Sequence, residues 1–381
     1  MITEKAYITR LAKFLPNEPV ANDDMETILG RINGKPSRSR RIVLKQNGIK
    51  TRYYAIDGEG EITHTNAELT GLAIGNLLSP SFGVDDLELL CCGTSIPDQI
   101  LPSHAAMVQG YLGCPTIEII STAGVCCSGM HAMKYGMLSI VAGNSQSAVC
   151  TGSELVSPLL LARNFEGEVS HHDRLEENPI LAFEKDFLRW MLSDGAGAAL
   201  LQKKPNDGEG LSLRMDWIDT YSFAGKIVTC MYAGLDRSEE GKMVSWKSFS
   251  PEQWLVNSVF AIKQDVGLLD KHIVRLATET LAVSLQKRGL QAREIDYFLP
   301  HVSSEYFRAP LDDEMKKQGV SIPQSRWFTN LSRVGNVGSA SIYLMLEELF
   351  HSGKLDKGMQ LLVMVPESAR FSYAFMLLTV C

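Results

Sequence analysis

The feature that most restricts how this chain can fold is an internal repeat, in which segments recur about 210 residues apart. "DDLELLCCGTS" (85–95) is matched by "REIDYFLPHVSS" (293–304): each has an acidic start, an apolar run and a polar or small-residue exit. "TIEIISTAGVCCSGMHAMKYGMLSIVAG" (116–143) is matched by "RWFTNLSRVGNVGSASIYLMLEELFHSG" (326–353). Both read strand, small-residue turn, helix, glycine stop. "SAVCTGSELVS" (147–157) pairs with "LLVMVPESARF" (361–371), and "GAGAALLQ" with "FSYAFMLLTV". The Gly/Pro-bearing stretch "QKKPNDGEG" lies between the copies. The expected organisation is therefore a half over 1–201, a linker over 202–210 and a half over 211–381. The strand candidates are continuous apolar runs that alternate with helices. That pattern predicts α/β halves with parallel sheets covered on both faces, their inner helices stacked between two sheets. Ligand sites in such sheets lie beyond the carboxyl ends of the strands.

Charge and hydropathy exclude several functions. A net charge of −7 argues against nucleic acid as a partner, which demands clustered positive charge. No apolar run reaches the ~18–20 residues that span a bilayer, and "MITEKAYITR" lacks the apolar core of a secretion signal. A cytoplasmic enzyme without membrane partners is expected. None of the eight cysteines forms a CxxC pair, so neither a metal site nor a redox pair is expected, and no cofactor is called for. "HHD" at 171–173 has no third ligand at suitable spacing and reads as a solvated loop.

Three turns at strand ends carry chemistry. Cys127 precedes a helix whose Met130, Met133, Met137 and Val141 form one apolar stripe. A helix N-terminus favours thiolate and can lower a cysteine pKa from ~8.5 to ~3.5–7.5. Small Ser128 and Gly129 are expected to leave that sulfur accessible, so it can accept an acyl group from a thioester. Cys126 reads as a packing residue. His301 in "PHVSS" and Asn336 in "VGNVGSAS" can both donate hydrogen bonds to a thioester carbonyl or its enolate.

With these residues in view, the chain resembles the thiolase-superfamily condensing enzymes of the ketoacyl-carrier-protein synthase III group. The resemblance runs nearly end to end, through "KFLPNEPVANDDM", "NGIKTRYY", "CCSGM", "LSDGAGAALL", "FLPHVSS" and "SRVGNVGSASI". It implies a thiolase fold with duplicated halves in a five-layer αβαβα arrangement, a homodimer, and a Cys127, His301, Asn336 site. It also implies acyl carrier protein or acyl-CoA thioesters as partners.

Departures from the family bear on the substrate. Ser304 stands where the family has Asn, and "PESARFSYA" replaces a glycine-rich loop. That puts Glu367 and Arg370 among the expected substrate-binding residues, together with Ser304. Arg38, Arg40 and Arg41 belong to a basic run over 35–52, readable as a solvated face or as a carrier-protein footprint. Glu154 reads either as a structural ion-pair partner or as a general base whose pKa is raised by an apolar pocket. Together these departures resemble the branch that makes cyclohexanediones, precursors of dialkylresorcinols and bacterial stilbenes. That branch condenses a β-ketoacyl thioester with an α,β-unsaturated acyl group and closes a 1,3-cyclohexanedione. The alternatives are a decarboxylative synthase III using malonyl thioester, a cysteine-dependent thioester hydrolase, and a non-catalytic subunit of a condensing complex.

Overall fold

The computed structural model describes residues 4–37, 39–165, 187–208, 210–238 and 241–381. Nine strands form one hydrogen-bonded sheet: β1 Ala6–Phe14, β2 Leu89–Thr94, β3 Glu118–Ala123, β4 Ser147–Glu154, β5 Gly195–Gln202, β6 Leu213–Ser222, β7 Tyr297–Pro300, β8 Gln360–Glu367 and β9 Ser372–Val380. Their spatial order is β7-β8-β9-β6-β1-β5-β4-β2-β3. The first half supplies β1-β5-β4-β2-β3 and the second β6-β9-β8-β7. The two sets join where Ala6–Ile8 of β1 pairs antiparallel with β6. The counterpart of β3 in the second half shrinks to a single parallel bridge between Phe298 and Trp327.

The expectation of parallel sheets needs correction. Among the described strand pairs of this sheet, only β2–β3, β2–β4 and β7–β8 are parallel. The last strand of each half, β5 or β9, turns back antiparallel on the strand before it. An apolar run shows that a strand is covered on both faces but carries no information on its direction.

The helices that build the site are α1 Arg40–Asn47, α2 Asn66–Gly75, α3 His104–Leu112, α4 Ser128–Ala142, α5 Val266–Arg288, α6 Arg308–Lys317 and α7 Ser341–Phe350. Side-chain alternation along the strands sorts them into layers. Leu90, Val149 and Leu200 pack with Leu69 of α2 and Val108 of α3. Their neighbours Cys91, Cys150 and Leu201 point the other way, onto Met130 and Met133 of α4 and Ile342 and Met345 of α7. Val363 and Met376 close that central layer from the second half. Leu362 and Phe375 face outward onto Ile273 of α5 and Leu311 of α6. The result is the five-layer αβαβα stack. The central helices approach closely: a Cβ on Gly129 would lie 2.4 Å from the Ser339 carbonyl oxygen. Among the described residues no helix is long and apolar enough to cross a membrane.

Candidate active site

The carboxyl ends of five strands open onto one cavity of about 460 Å³. Ser95 follows β2, and Gly124, Val125 and Cys126 follow β3. Glu154 ends β4, His301 follows β7 and Glu367 ends β8. Asn336 and Gly338 enter from the segment leading into α7. The walls are apolar, with Val156, Met191, Leu269, Ile273, Ala277 and Leu311 among them. A few polar groups inside an apolar concavity are the usual composition of a small-molecule site.

His301 is fixed through its backbone, its N–H donating to the Met364 carbonyl at 2.8 Å. Its side-chain Nε2 is buried without a hydrogen-bond partner among the described residues. Burial lowers the imidazole pKa to about 4, so the ring is neutral at physiological pH. Asn336 is clamped to the first half: its N–H donates to Met191 O at 3.0 Å and its carbonyl accepts from Ser193 N at 2.9 Å. Its side-chain Oδ1 accepts from Gly338 N at 3.1 Å, which leaves the amide NH₂ as the donor end. The neighbouring Asp194 holds that region together, accepting from Ala55 N at 2.7 Å, Val156 N at 2.6 Å and Ser157 N at 3.0 Å.

Glu154 is fully buried, and its partners are hydroxyl and peptide groups rather than cations. Oε1 accepts from Ser95 Oγ at 2.6 Å and Ser339 N at 2.9 Å, and both oxygens lie 3.3 Å from Ser95 N. Burial raises its pKa to about 7, opposed by these hydrogen bonds. The ion-pair reading of Glu154 has no support: no cation partners it among the described residues. Ser95 and Ser339 did not stand out in the sequence, although a polar residue directly after an apolar strand is a usable signal.

The cysteine pair departs from expectation. Cys127 does cap α4, but its sulfur turns into the central layer and donates to Val365 O at 3.3 Å. Cys126, whose expected role is packing, is the one that lines the cavity. Neither is a standing thiolate. Burial first, and then the charge of Glu367, push the Cys127 thiol well up, and the same causes act on Cys126. The helix N-terminus is opposed here by a negative charge, because a carboxylate sits on the turn that leads into it. Glu367 Oε2 accepts from Val125 N and Cys127 N, both at 2.9 Å.

The remaining expectations divide. Ser304 does not face the cavity. Its Oγ accepts from Tyr306 N at 3.2 Å, capping a short turn, and reaches Gln46 O at 3.5 Å; the neighbouring Ser303 lines the cavity instead. Arg370 is exposed and leans on Ile227 O at 3.4 Å, away from the cavity. Arg40 is not a free footprint charge. It is half-buried, donates to Asn22 O, lies 3.6 Å from Asp23 and 3.8 Å from Glu26, and covers the Trp190 ring. Arg41 is exposed on α1. Arg38 and the 171–173 stretch lie outside the described residues.

Comparison with known proteins agrees with this architecture. Residues 285–379 match the family described as 3-oxoacyl-[acyl-carrier-protein] synthase III, C terminal. A beta-ketoacyl-[acyl-carrier-protein] synthase III of Chlorobaculum tepidum is 24% identical over 361 residues, covering 94% of each chain. Among solved structures, AbyA1, a tetronic acid condensing enzyme, superposes with a TM-score of 0.76 at 21% identity, over 98% of this chain and 99% of that one. OleA of Xanthomonas campestris, solved with lauric acid and lauroyl-CoA, superposes with a TM-score of 0.75 at 19% identity, over 99% of each chain. The fold is the thiolase fold.

Proposed function

We propose that this chain, a synthase III-like acyltransferase among the thiolase-superfamily condensing enzymes, joins a β-ketoacyl thioester to an α,β-unsaturated acyl group and closes a 1,3-cyclohexanedione. The observation that carries the reading is Glu154, a carboxylate with a pKa near 7 in the same apolar cavity as His301 and Asn336. Such a group suits removal of the acidic proton between two carbonyls, a step that decarboxylative priming does not need. The Asn336 amide and the neutral His301 ring hold the carbonyl oxygen as enolate charge develops. The enolate carbon adds to the unsaturated acyl group on the enzyme, and a second, Claisen-type attack closes the ring and releases the cysteine.

The acyl carrier is Cys127, the cysteine of the "CSGM" motif. Its backbone N–H donates to Glu367, which lines the cavity. A second reading places the acyl group on Cys126, because that residue faces the cavity as it stands. Acyl carrier protein or acyl-CoA delivers the thioesters. A second copy of the chain is the further partner, and the edge strand β3, only partly covered along its length, supports pairing there.

The deciding experiment incubates the enzyme with an acyl-thioester panel and reads products and protein adducts by mass spectrometry. A cyclohexanedione formed without CO₂ release, with C127S losing the adduct and C126S keeping it, is expected. CO₂ release from malonyl thioester with a linear ketoacyl product establishes the decarboxylative synthase instead. Free acid alone establishes the hydrolase.

A further inference from the structure

The seat of Glu367 carries a role that the motif residues do not. In the folded chain its Oε2 is fixed by two peptide N–H groups, those of Val125 and Cys127, on either side of Cys126. Two consequences follow. The turn leading into α4 is occupied by the protein's own carboxylate, so the Val125 and Cys127 N–H groups are not free for a thioester carbonyl, whereas His301 Nε2 and the Asn336 amide in the same cavity are. A proton acceptor also stands beside the two thiols, at a strand end where the resembled family has glycine.

We infer that Glu367 is the proton acceptor when a cysteine of the Cys126–Cys127 pair takes the acyl group, which makes it a catalytic residue of the loading step. The step balances without a further reactant. The thiol gives its proton to the Glu367 carboxylate as its sulfur bonds to the thioester carbonyl carbon. Collapse of the tetrahedral intermediate breaks the bond to the departing sulfur, and Glu367 returns the proton to that leaving thiolate. The surroundings fit this role. Both thiols are pushed up by burial and by the Glu367 charge itself, so each is a thiol until attack and needs a base at that moment. Glu154 is tied to Ser95 and Ser339, and the proposed function assigns His301 to the substrate carbonyl. The inference rests on the acyl-cysteine reading given above.

The test compares two reactions of the same sulfur at one pH: acyl loading from an acyl-CoA thioester, followed by rapid-quench intact-mass analysis, and alkylation by iodoacetamide. E367Q keeps the shape and loses the base. Loading is expected to fall about 10²-fold, while alkylation speeds up, because removing a neighbouring negative charge favours the thiolate. E367D, with its charge one methylene further back, is expected to load at an intermediate rate. Loading of E367Q at the wild-type rate overturns the inference. So does a parallel fall in both reactions, which is what a purely structural role produces. A wild-type enzyme that accepts no acyl group from any thioester overturns the condensing reading itself, and that result is distinct from either outcome in the variant.

Discussion

Glu154 and Glu367 occupy the same place in the two halves of the molecule. Each is the last residue of an eight-residue strand, β4 in the first half and β8 in the second. Each reaches across to the mouth of the other half's central helix: Glu154 to Ser339 N ahead of α7, Glu367 to Val125 N and Cys127 N at α4. Their partners differ. Glu154 leans on the Ser95 hydroxyl and one good peptide N–H, with burial lifting its pKa to about 7. Glu367 is seated on two peptide N–H groups next to the cysteines. Duplication supplied two equivalent carboxylate positions, and unequal donors gave them different chemistry.

Removing the two carboxylates separately gives the largest expected effect. E154Q is expected to load acyl groups at the wild-type rate yet lose condensation by about 10²- to 10⁴-fold, the reverse of E367Q. In the wild type, condensation from the preloaded enzyme should rise with pH through about 7, as Glu154 becomes the carboxylate that can accept a proton. E154Q should lack that limb. Single-turnover product formation from preloaded enzyme measures both, and equal loss of loading and condensation in E154Q removes the division of labour.

A smaller effect is expected at Gly338. Its φ is +47°, and a Cβ there would lie 2.7 Å from Glu154 Oε1 and 3.0 Å from its Cδ. G338A must strain the turn and displace the carboxylate, lowering stability by about 1–3 kcal/mol and depressing condensation more than loading. Urea unfolding and the same two assays test it. If condensation is unchanged, the position of Glu154 does not control the second step.

Much of this was legible from residue order. The repeat points to the strand–helix correspondence of the halves, and ligand sites beyond strand carboxyl ends point to the turns of Cys127, His301 and Asn336 as neighbours; His301 and Asn336 do line one cavity, with Cys126 there in place of Cys127. The failures have physical causes. Cys126 and Cys127 are adjacent, and which sulfur faces the cavity depends on backbone torsions in the turn, on which composition is silent. Ser304 fits an ordinary use of serine, capping a turn, which its position before "EYF" could have suggested. Arg40 looked free because its partners Asp23 and Glu26 lie in another segment. The wall supplied by α5 was visible as Leu269, Ile273 and Ala277 at helical spacing, yet that stripe alone reads equally well as core.

The weakest expected effect is on stability, and it tests whether burial raises the Glu154 pKa. A carboxyl whose folded pKa is raised from 4.5 to about 7 binds its proton more tightly in the native state than in the unfolded chain. Its contribution is therefore complete below about pH 4.5 and is lost as pH rises through about 7. His301 works in the opposite sense: lowered from 6.5 to about 4, it favours the fold above about 6.5 and penalises it as pH falls toward 4. The two oppose each other between about pH 4.5 and 6.5, so the Glu154 contribution is cleanest on the alkaline side of that window. Comparing unfolding free energies at pH 5 and pH 8 in wild type and E154Q, the variant should lack up to about 3 kcal/mol of the wild type's loss. The difference between the two proteins cancels His301 and every other shared group. If E154Q follows the same pH dependence as wild type, Glu154 carries no raised pKa, and its role as the base of the second step loses its electrostatic support.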